Sequence, residues 1–384
     1  MHSLRAVIRQ VILQPTSLCN LNCSYCYVPQ RRDGFMMSRA TLEASIKKVL
    51  HSPLTHPDVQ FIWHAGEPLT AGVEHFEEAM RLISLHNIHG LNVEKSVQTN
   101  GTLVDERWCD LFAEHDMSVG ISVDGPQFLH DSHRVNWSGK GSHRAVMRGY
   151  RKLKERGIRL GALCVLTRTS LRHPDEIFDF FVDNGFQSVG FNVEEVENGN
   201  TVSSLSGGKG EADTIAAEYR AFVDRIFDRW RESPAAIEIR EISDYLAIIK
   251  SKISDPSYRH MSYETEPLAI ITIQKNGDMS TSSPELAGGK SEEFDDFVIA
   301  NINAPGSLDS LLPGPALDRI SKEISHGVAA CADECLYFDI CGGAYTSNKY
   351  FENGSLRSTE TTSCRLHRQI LGEVIIDKLK GSGS

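Results

Sequence analysis

Apolar positions along the first two-thirds of the chain switch between two spacings. Short apolar runs of strand length alternate with longer stretches spaced like one helix face. The runs predict strands over 7–13, 59–64, 93–98, 118–123, 160–166 and 189–193. Helical spacing follows over 38–50, 72–85, 104–114, 143–156, 174–183 and 212–231, with Ser38 as N-cap of the first. Six strand–helix units in succession favour a parallel sheet wound in one direction, and are too few for a closed eight-fold barrel. From 211 to 254 the spacing is mostly helical and reads as a bridge. Beyond Leu268 it changes: 269–274 and 279–281 flank Lys275-Asn276-Gly277-Asp278, a β-hairpin signal. A strand over 297–302, a helix over 317–325 and an amphipathic helix over 364–380 complete the reading.

The 384 residues accommodate one large domain and a smaller one. The expected division is a core over 1–210, a helical bridge over 211–262 and a small domain over 263–380. The tail 381–384 reads as a linker. No apolar run is long enough to cross a bilayer, and residues 1–10 lack the apolar core of a signal peptide, so a cytoplasmic protein is expected. A formal net charge of −11 argues against nucleic acid as the main partner and allows a basic or neutral peptide, or a small molecule. Nine cysteines in such a chain point to metal ligation rather than disulfides. Seven fall in two clusters. Cys109 and Cys164 sit inside helical and strand patterns and read as small buried apolar residues.

The first cluster is Cys19, Cys23 and Cys26, spaced C-x3-C-x2-C on the loop after the first strand. Three thiolates there can bind three corners of an iron–sulfur cube and leave the fourth iron open to a small molecule. The loops after the next strands carry matching chemistry. His64-Ala65-Gly66-Glu67-Pro68 offers a close backbone approach at Gly66 and an acceptor for an ammonium at Glu67, though it also reads as a tight turn with a solvated Glu. Gln98 to Thr102 places Asn100 toward a ligand, or forms a plain Asn-Gly turn. The fourth strand ends in Ser122 and Asp124. Arg134 beyond it can grip a carboxylate or pair with Asp131 on the surface. After the sixth strand, Asn192 and Glu194 should share one face, with Glu195 on the other. Glu194 could hold a substrate or move a proton, or simply line a polar loop mouth.

The cysteine spacing, with aromatic Tyr25 before the third cysteine, resembles the signature of radical S-adenosylmethionine (SAM) enzymes. The resemblance implies an open (β/α)6 partial barrel. It implies a [4Fe–4S] cluster whose open iron chelates the amino and carboxylate groups of SAM. An electron, from an external donor of flavodoxin or ferredoxin type, would then cleave SAM to a 5′-deoxyadenosyl radical. Tyr25, Gly66, Glu67, Asn100, Ser122, Asp124 and Arg134 match family positions around SAM: Glu67 for its amino group, and Ser122 and Arg134 for its ribose and carboxylate. Ala65 replaces the family's first glycine.

The second cluster, Cys331, Cys335, Cys341 and Cys364, can close a zinc site or fully ligate a cube, and spacing does not decide between them. The hairpin, the C-x3-C-x5-C-G-G run and the downstream cysteine resemble the SPASM domain of radical SAM peptide maturases, which usually carries two auxiliary clusters. Here Ser282 and Tyr345 stand at two family cysteine positions, and no cysteine precedes the hairpin turn. All three departures remove ligands of one cluster, so the resemblance implies one auxiliary [4Fe–4S] cluster. Ser283, where sulfatase maturases carry an acid, weakens that assignment. The run Phe191-Asn-Val-Glu-Glu-Val-Glu and the modest length resemble the cyclophane-forming maturases, which join an aromatic ring carbon of a precursor peptide to the β-carbon of a residue two positions on. Thioether formation or side-chain oxidation, including sulfatase-maturase-like formylglycine formation, is the alternative. The chain starts almost at strand 1, so recognition of a leader segment is expected from the hairpins, the bridge or another chain.

Overall fold

Strands that are apolar on both faces must be covered on both faces, and the winding of the chain provides that cover. The computed structural model describes residues 7–208 and 210–381. In it β1 (Ile8–Leu13), β2 (Thr55–Trp63), β3 (Asn92–Thr99), β4 (Ser118–Ser122), β5 (Leu160–Leu166) and β6 (Ser188–Val193) lie side by side and parallel. They alternate with α1 (Arg39–Leu50), α2 (Val73–His86), α3 (Glu106–Glu114), α4 (Gln127–His133), α5 (His143–Glu155) and α6 (Pro174–Asp183). Ser38 caps α1 as expected, accepting from the Thr41 N–H at 3.0 Å. Strand side chains such as Val11, Phe61 and Trp63 and helix side chains such as Phe76 and Phe112 are buried in one continuous core.

The sheet does not stop at six strands. It has ten, in the order β10-β9-β8-β1-β2-β3-β4-β5-β6-β7. At one end α7 (Ala212–Glu232) leads to β7 (Glu238–Ile239), parallel to β6, and on to α8 (Arg240–Ser254). At the other end the hairpin strands β8 (Ile270–Ile273) and β9 (Asp278–Thr281), with β10 (Ala300–Asn301), extend the same sheet. β8 runs parallel to β1 from Gln10 to Leu13. All four β8 residues are buried, which an isolated two-stranded hairpin could not achieve. The pairing also covers the polar edge that β1 would otherwise expose.

Three further elements depart from the sequence reading. The strand expected over 297–302 shrinks to Ala300–Asn301, because Asp295, Asp296 and Phe297 take positive φ in a turn. The helix expected over 317–325 runs Pro315–Glu334 and carries Cys331 in its last turn. Gly327 does not break it: the glycine lies against the Leu356 carbonyl, where a Cβ would stand 2.3 Å away. The last helix begins at Thr362–Cys364, widens into a π turn over Arg365–Ile370 and continues as Leu371–Gly381. Lys378 pairs with Asp224 and Asp228, tying this helix to α7. Among the described residues no helix is long and apolar enough to cross a membrane. Residues 382–384 of the expected tail, and residues 1–6 of the segment read for a signal peptide, lie outside the described residues.

Candidate active site

The loop from β1 to α1 carries Cys19, Cys23 and Cys26 over the C-terminal ends of the parallel strands, where loops of such sheets gather ligands. Backbone bonds hold it. The Cys19 N–H donates to the Arg31 carbonyl at 3.0 Å and the Ser24 N–H to the His133 carbonyl at 3.0 Å. The Trp137 indole N–H donates to the Cys19 carbonyl at 2.8 Å. All three thiols line one cavity of about 180 Å³ with Tyr25, Gly66, Asn100, Ser122, Arg134 and Glu194. Gly66 has φ of +59°, and a Cβ there would come within 2.7 Å of the Leu18 carbonyl oxygen. Only glycine lets this turn lie against the cysteine loop. Asn100 donates to Asn20 at 2.8 Å, and Ser122 accepts from Gln98 at 2.9 Å.

Glu67 and Asp124 stand one layer behind the cavity wall. Glu67 accepts from the Leu69 N–H, the Thr99 hydroxyl and the Asn100 N–H at 3.0, 2.7 and 2.7 Å. It ties the loops after β2 and β3 together. Burial pushes its carboxyl up to about 7, against the pull of those three donors. Asp124 accepts from Arg134 at 2.9 and 3.1 Å, from the Val165 N–H at 3.0 Å and from the Tyr25 hydroxyl. Burial works to raise its carboxyl, yet the adjacent Arg134 guanidinium holds it below the ordinary carboxylate range. Asp124 thus positions Arg134 and Tyr25, and Arg134 does not pair with Asp131 as a surface ion pair.

Burial pushes Cys19 up to about 12 and Cys23 up to about 11, with Glu67 adding to the first and Arg134 opposing the second. Such thiols wait protonated and must release protons to bind metal. Three partly buried cysteines lining one cavity beside a fixed guanidinium fit an iron–sulfur cluster that leaves one iron for a carboxylate-bearing ligand.

A second cavity of about 930 Å³ adjoins the first and shares Asn192, Val193, Glu195, Glu197 and Glu285 with its wall. Strand alternation placed Glu194 and Glu195 on opposite faces, yet both line the first cavity. β6 ends at Val193, so the pleat no longer governs the residues after it. One Glu194 oxygen accepts from the Ser204 N–H at 2.8 Å and from the Ser204 hydroxyl. Burial pushes Glu195 and Glu264 each up to about 8, the first reinforced by Glu285 and the second by Glu285 and Glu195. Where family cysteines were expected, Ser282 donates to the Glu264 carbonyl at 2.5 Å, and Tyr345 lines the large cavity. Sequence reasoning missed Glu197, Glu285, Ser347 and His64. The last bonds Tyr27 at 2.9 Å in the first cavity's wall.

Cys331, Cys335, Cys341 and Cys364 border a third cavity of about 340 Å³. Zinc would draw its sulfurs to about 2.3 Å from one point. The cavity that the four cysteines border has room for a cube. Arg368 lines both this cavity and the large one.

Residues 13–181 match the Radical SAM superfamily. The chain is 39% identical over 376 residues to an uncharacterized protein of Synechocystis sp., covering 97% of this chain and 92% of that one. This chain belongs to the radical SAM superfamily. Radical SAM enzymes use a [4Fe–4S] cluster and SAM, and the three cysteines and polar wall of the first cavity suit both. It is 33% identical over 236 residues to the serine-type anaerobic sulfatase-maturating enzyme of Bacteroides thetaiotaomicron, covering 57% of this chain and 56% of that one. The chain therefore spans little more than half that relative's length. Its fold resembles native anSMEcpe with bound AdoMet and Cp18Cys peptide, at TM-score 0.78 and 23% identity, covering 97% and 98% of the two chains.

Proposed function

We propose that this radical SAM enzyme matures a ribosomally made precursor peptide. It joins an aromatic ring carbon to the β-carbon of a residue two positions on. The observation that carries the reading is the large cavity beside the SAM cavity. Tyr345, which stands at a family cysteine position, lines the large cavity, and the cavity has room for a peptide segment. The peptide bound in anSMEcpe and the sulfatase-maturating relative support a peptide substrate. Cys331, Cys335, Cys341 and Cys364 hold one auxiliary [4Fe–4S] cluster in this SPASM-like region.

Cys19, Cys23 and Cys26 would hold the cluster, which with SAM would supply the radical chemistry that removes the β-hydrogen. Tyr25, Asn100, Ser122 and Arg134 wall the SAM pocket, and Arg134 is aimed by Asp124 for the SAM carboxylate. Glu194, pinned by Ser204, holds the reacting residue of the peptide. Closing the crosslink releases one electron and one proton. The four-cysteine cavity, bordered like the large one by Arg368, would hold the cluster that takes the electron.

The test uses the reconstituted holoenzyme with SAM, dithionite and peptides that place an aromatic residue two positions before a β-deuterated one. Loss of two hydrogens from the peptide, with deuterium in 5′-deoxyadenosine and a ring–Cβ bond seen by fragmentation, is the expected result. Aldehyde formation at Ser or Cys would favour the oxidation reading that the sulfatase-maturating relative suggests. The Glu194→Gln variant should lose about ten- to hundred-fold in kcat/KM, the worth of one hydrogen bond to a charged group. Crosslinking at the parental rate would remove Glu194 from the site.

A further inference from the structure

The wall between the two cavities contains a chain of four side chains. The Ser347 hydroxyl lies 2.5 Å from Glu197 and 3.0 Å from the Ser283 hydroxyl, and Ser283 is bonded to Glu285. Ser283, Ser347 and Glu197 are each at least 97% buried, and both carboxylates line both cavities. Three contacts in a row need three hydrogens, and the two hydroxyls own only two. If Ser347 donates to Glu197 and Ser283 donates to Ser347, the contact to Glu285 must be donated by Glu285. If the hydroxyls turn the other way, Glu197 must be the donor. With all three contacts hydrogen-bonded, the chain holds one carboxyl proton that can sit at either end. Turning both hydroxyls moves that proton from one end to the other. The Asn348 amide donates to Glu197 at 2.9 Å and fixes that end, while its own buried Oδ1 has no partner.

We propose that Glu197, Ser347, Ser283 and Glu285 form a proton relay that takes the proton released when the crosslink closes. The proposal rests on the peptide-crosslinking reading. In that step the Cβ–ring bond forms and the ring C–H bond breaks. One electron passes to the auxiliary iron–sulfur cluster at the four cysteines, and the proton enters the relay at its vacant carboxylate. Two members of the relay, Ser283 and Ser347, lie one and two positions after Ser282 and Tyr345, the residues at family cysteine positions. Ser283, set where the resemblance expects an acid, carries the proton on to one two residues away, Glu285. Burial, the largest influence on both carboxyls, raises each and so favours the protonated form in the chain.

Two measurements test the relay. The first follows the holoenzyme with SAM, dithionite and the β-deuterated peptide. Ser283→Ala and Ser347→Ala should lower crosslinked product per 5′-deoxyadenosine by about tenfold or more, the low side of general-base effects, while SAM cleavage continues. Ser283→Thr and Ser347→Thr, which keep the hydroxyl, should restore the ratio. The second is an infrared spectrum of the reconstituted enzyme without SAM. Wild type should show a protonated-carboxyl C=O band at neutral pH that Glu197→Gln and Glu285→Gln each diminish. Deuterium transfer with an unchanged product ratio in both alanine variants would overturn the relay alone. A wild-type spectrum without that band would do the same. No deuterium in 5′-deoxyadenosine would overturn the crosslinking reading, and the relay with it.

Discussion

Replacing Cys19, Cys23 and Cys26 together by alanine is expected to abolish SAM cleavage and to halve the iron of the reconstituted protein. The wild type should carry about eight irons and the variant about four, given four per cube. Activity should fall to background because, in the proposed reading, the three thiolates hold the iron that meets SAM. The variant should still fold. The loop is held by backbone carbonyls and amides that alanine keeps, including those of Cys19 with Arg31 and Trp137. None of the three thiols belongs to the continuous apolar core, whose residues lie under the helices. Iron and sulfide counts, with 5′-deoxyadenosine measured by chromatography, read both effects. Four irons and one zinc in the wild type would make the C-terminal site structural, and the crosslink's electron would then need another acceptor. Wild-type protein that folds without iron would remove the cluster assignment altogether.

Local signals carried much of the architecture, and long-range ones did not. The strand–helix alternation from β1 to α6 is written in apolar spacing, since each unit buries its own stripe. The hairpin was legible through Asn276-Gly277, but its place in the sheet was not. Pairing of β8 with β1 joins residues some 260 positions apart and leaves no local mark. The site divides the same way. The three cysteines, Gly66, Asn100, Ser122 and Arg134 meet at one cavity because each follows a strand end, and strand ends converge. Glu67 and Asp124 follow strand ends too, yet their carboxylates turn inward to bind backbone N–H groups and Arg134. Sequence order places such a residue at the site without saying which side of the wall it faces. Glu195 failed on parity, because the pleat ended one residue before Glu194. Ser283 and Ser347 are 64 positions apart, and only the fold puts their hydroxyls in contact.

Breaking the Asp124–Arg134 pair should produce a large loss of stability from a single site change. The two side chains are 4% and 8% exposed, so solvent screens little of their attraction. Removing one partner of such a pair strands the other charge in a dry environment, at a cost of about 3–5 kcal/mol. Asp124→Asn and Arg134→Met should each lose that much in denaturant unfolding. The double variant should lose less than the sum, because no charge is left stranded. The two singles should part on ligand binding. Arg134 lines the SAM cavity and Asp124 does not, so Arg134→Met should lose SAM affinity directly. Asp124→Asn should weaken it only through the freed guanidinium and Tyr25. The pH dependence follows from the direction of the shift. Asp124 sits below its unfolded value in the folded protein, so its contribution is present above the ordinary carboxylate range. It is lost as pH falls through the lowered folded value, when the carboxylate finally protonates. Asp124→Asn should therefore flatten the acid limb of the stability curve, and additive losses in the double variant would show that the pair does not act as a unit.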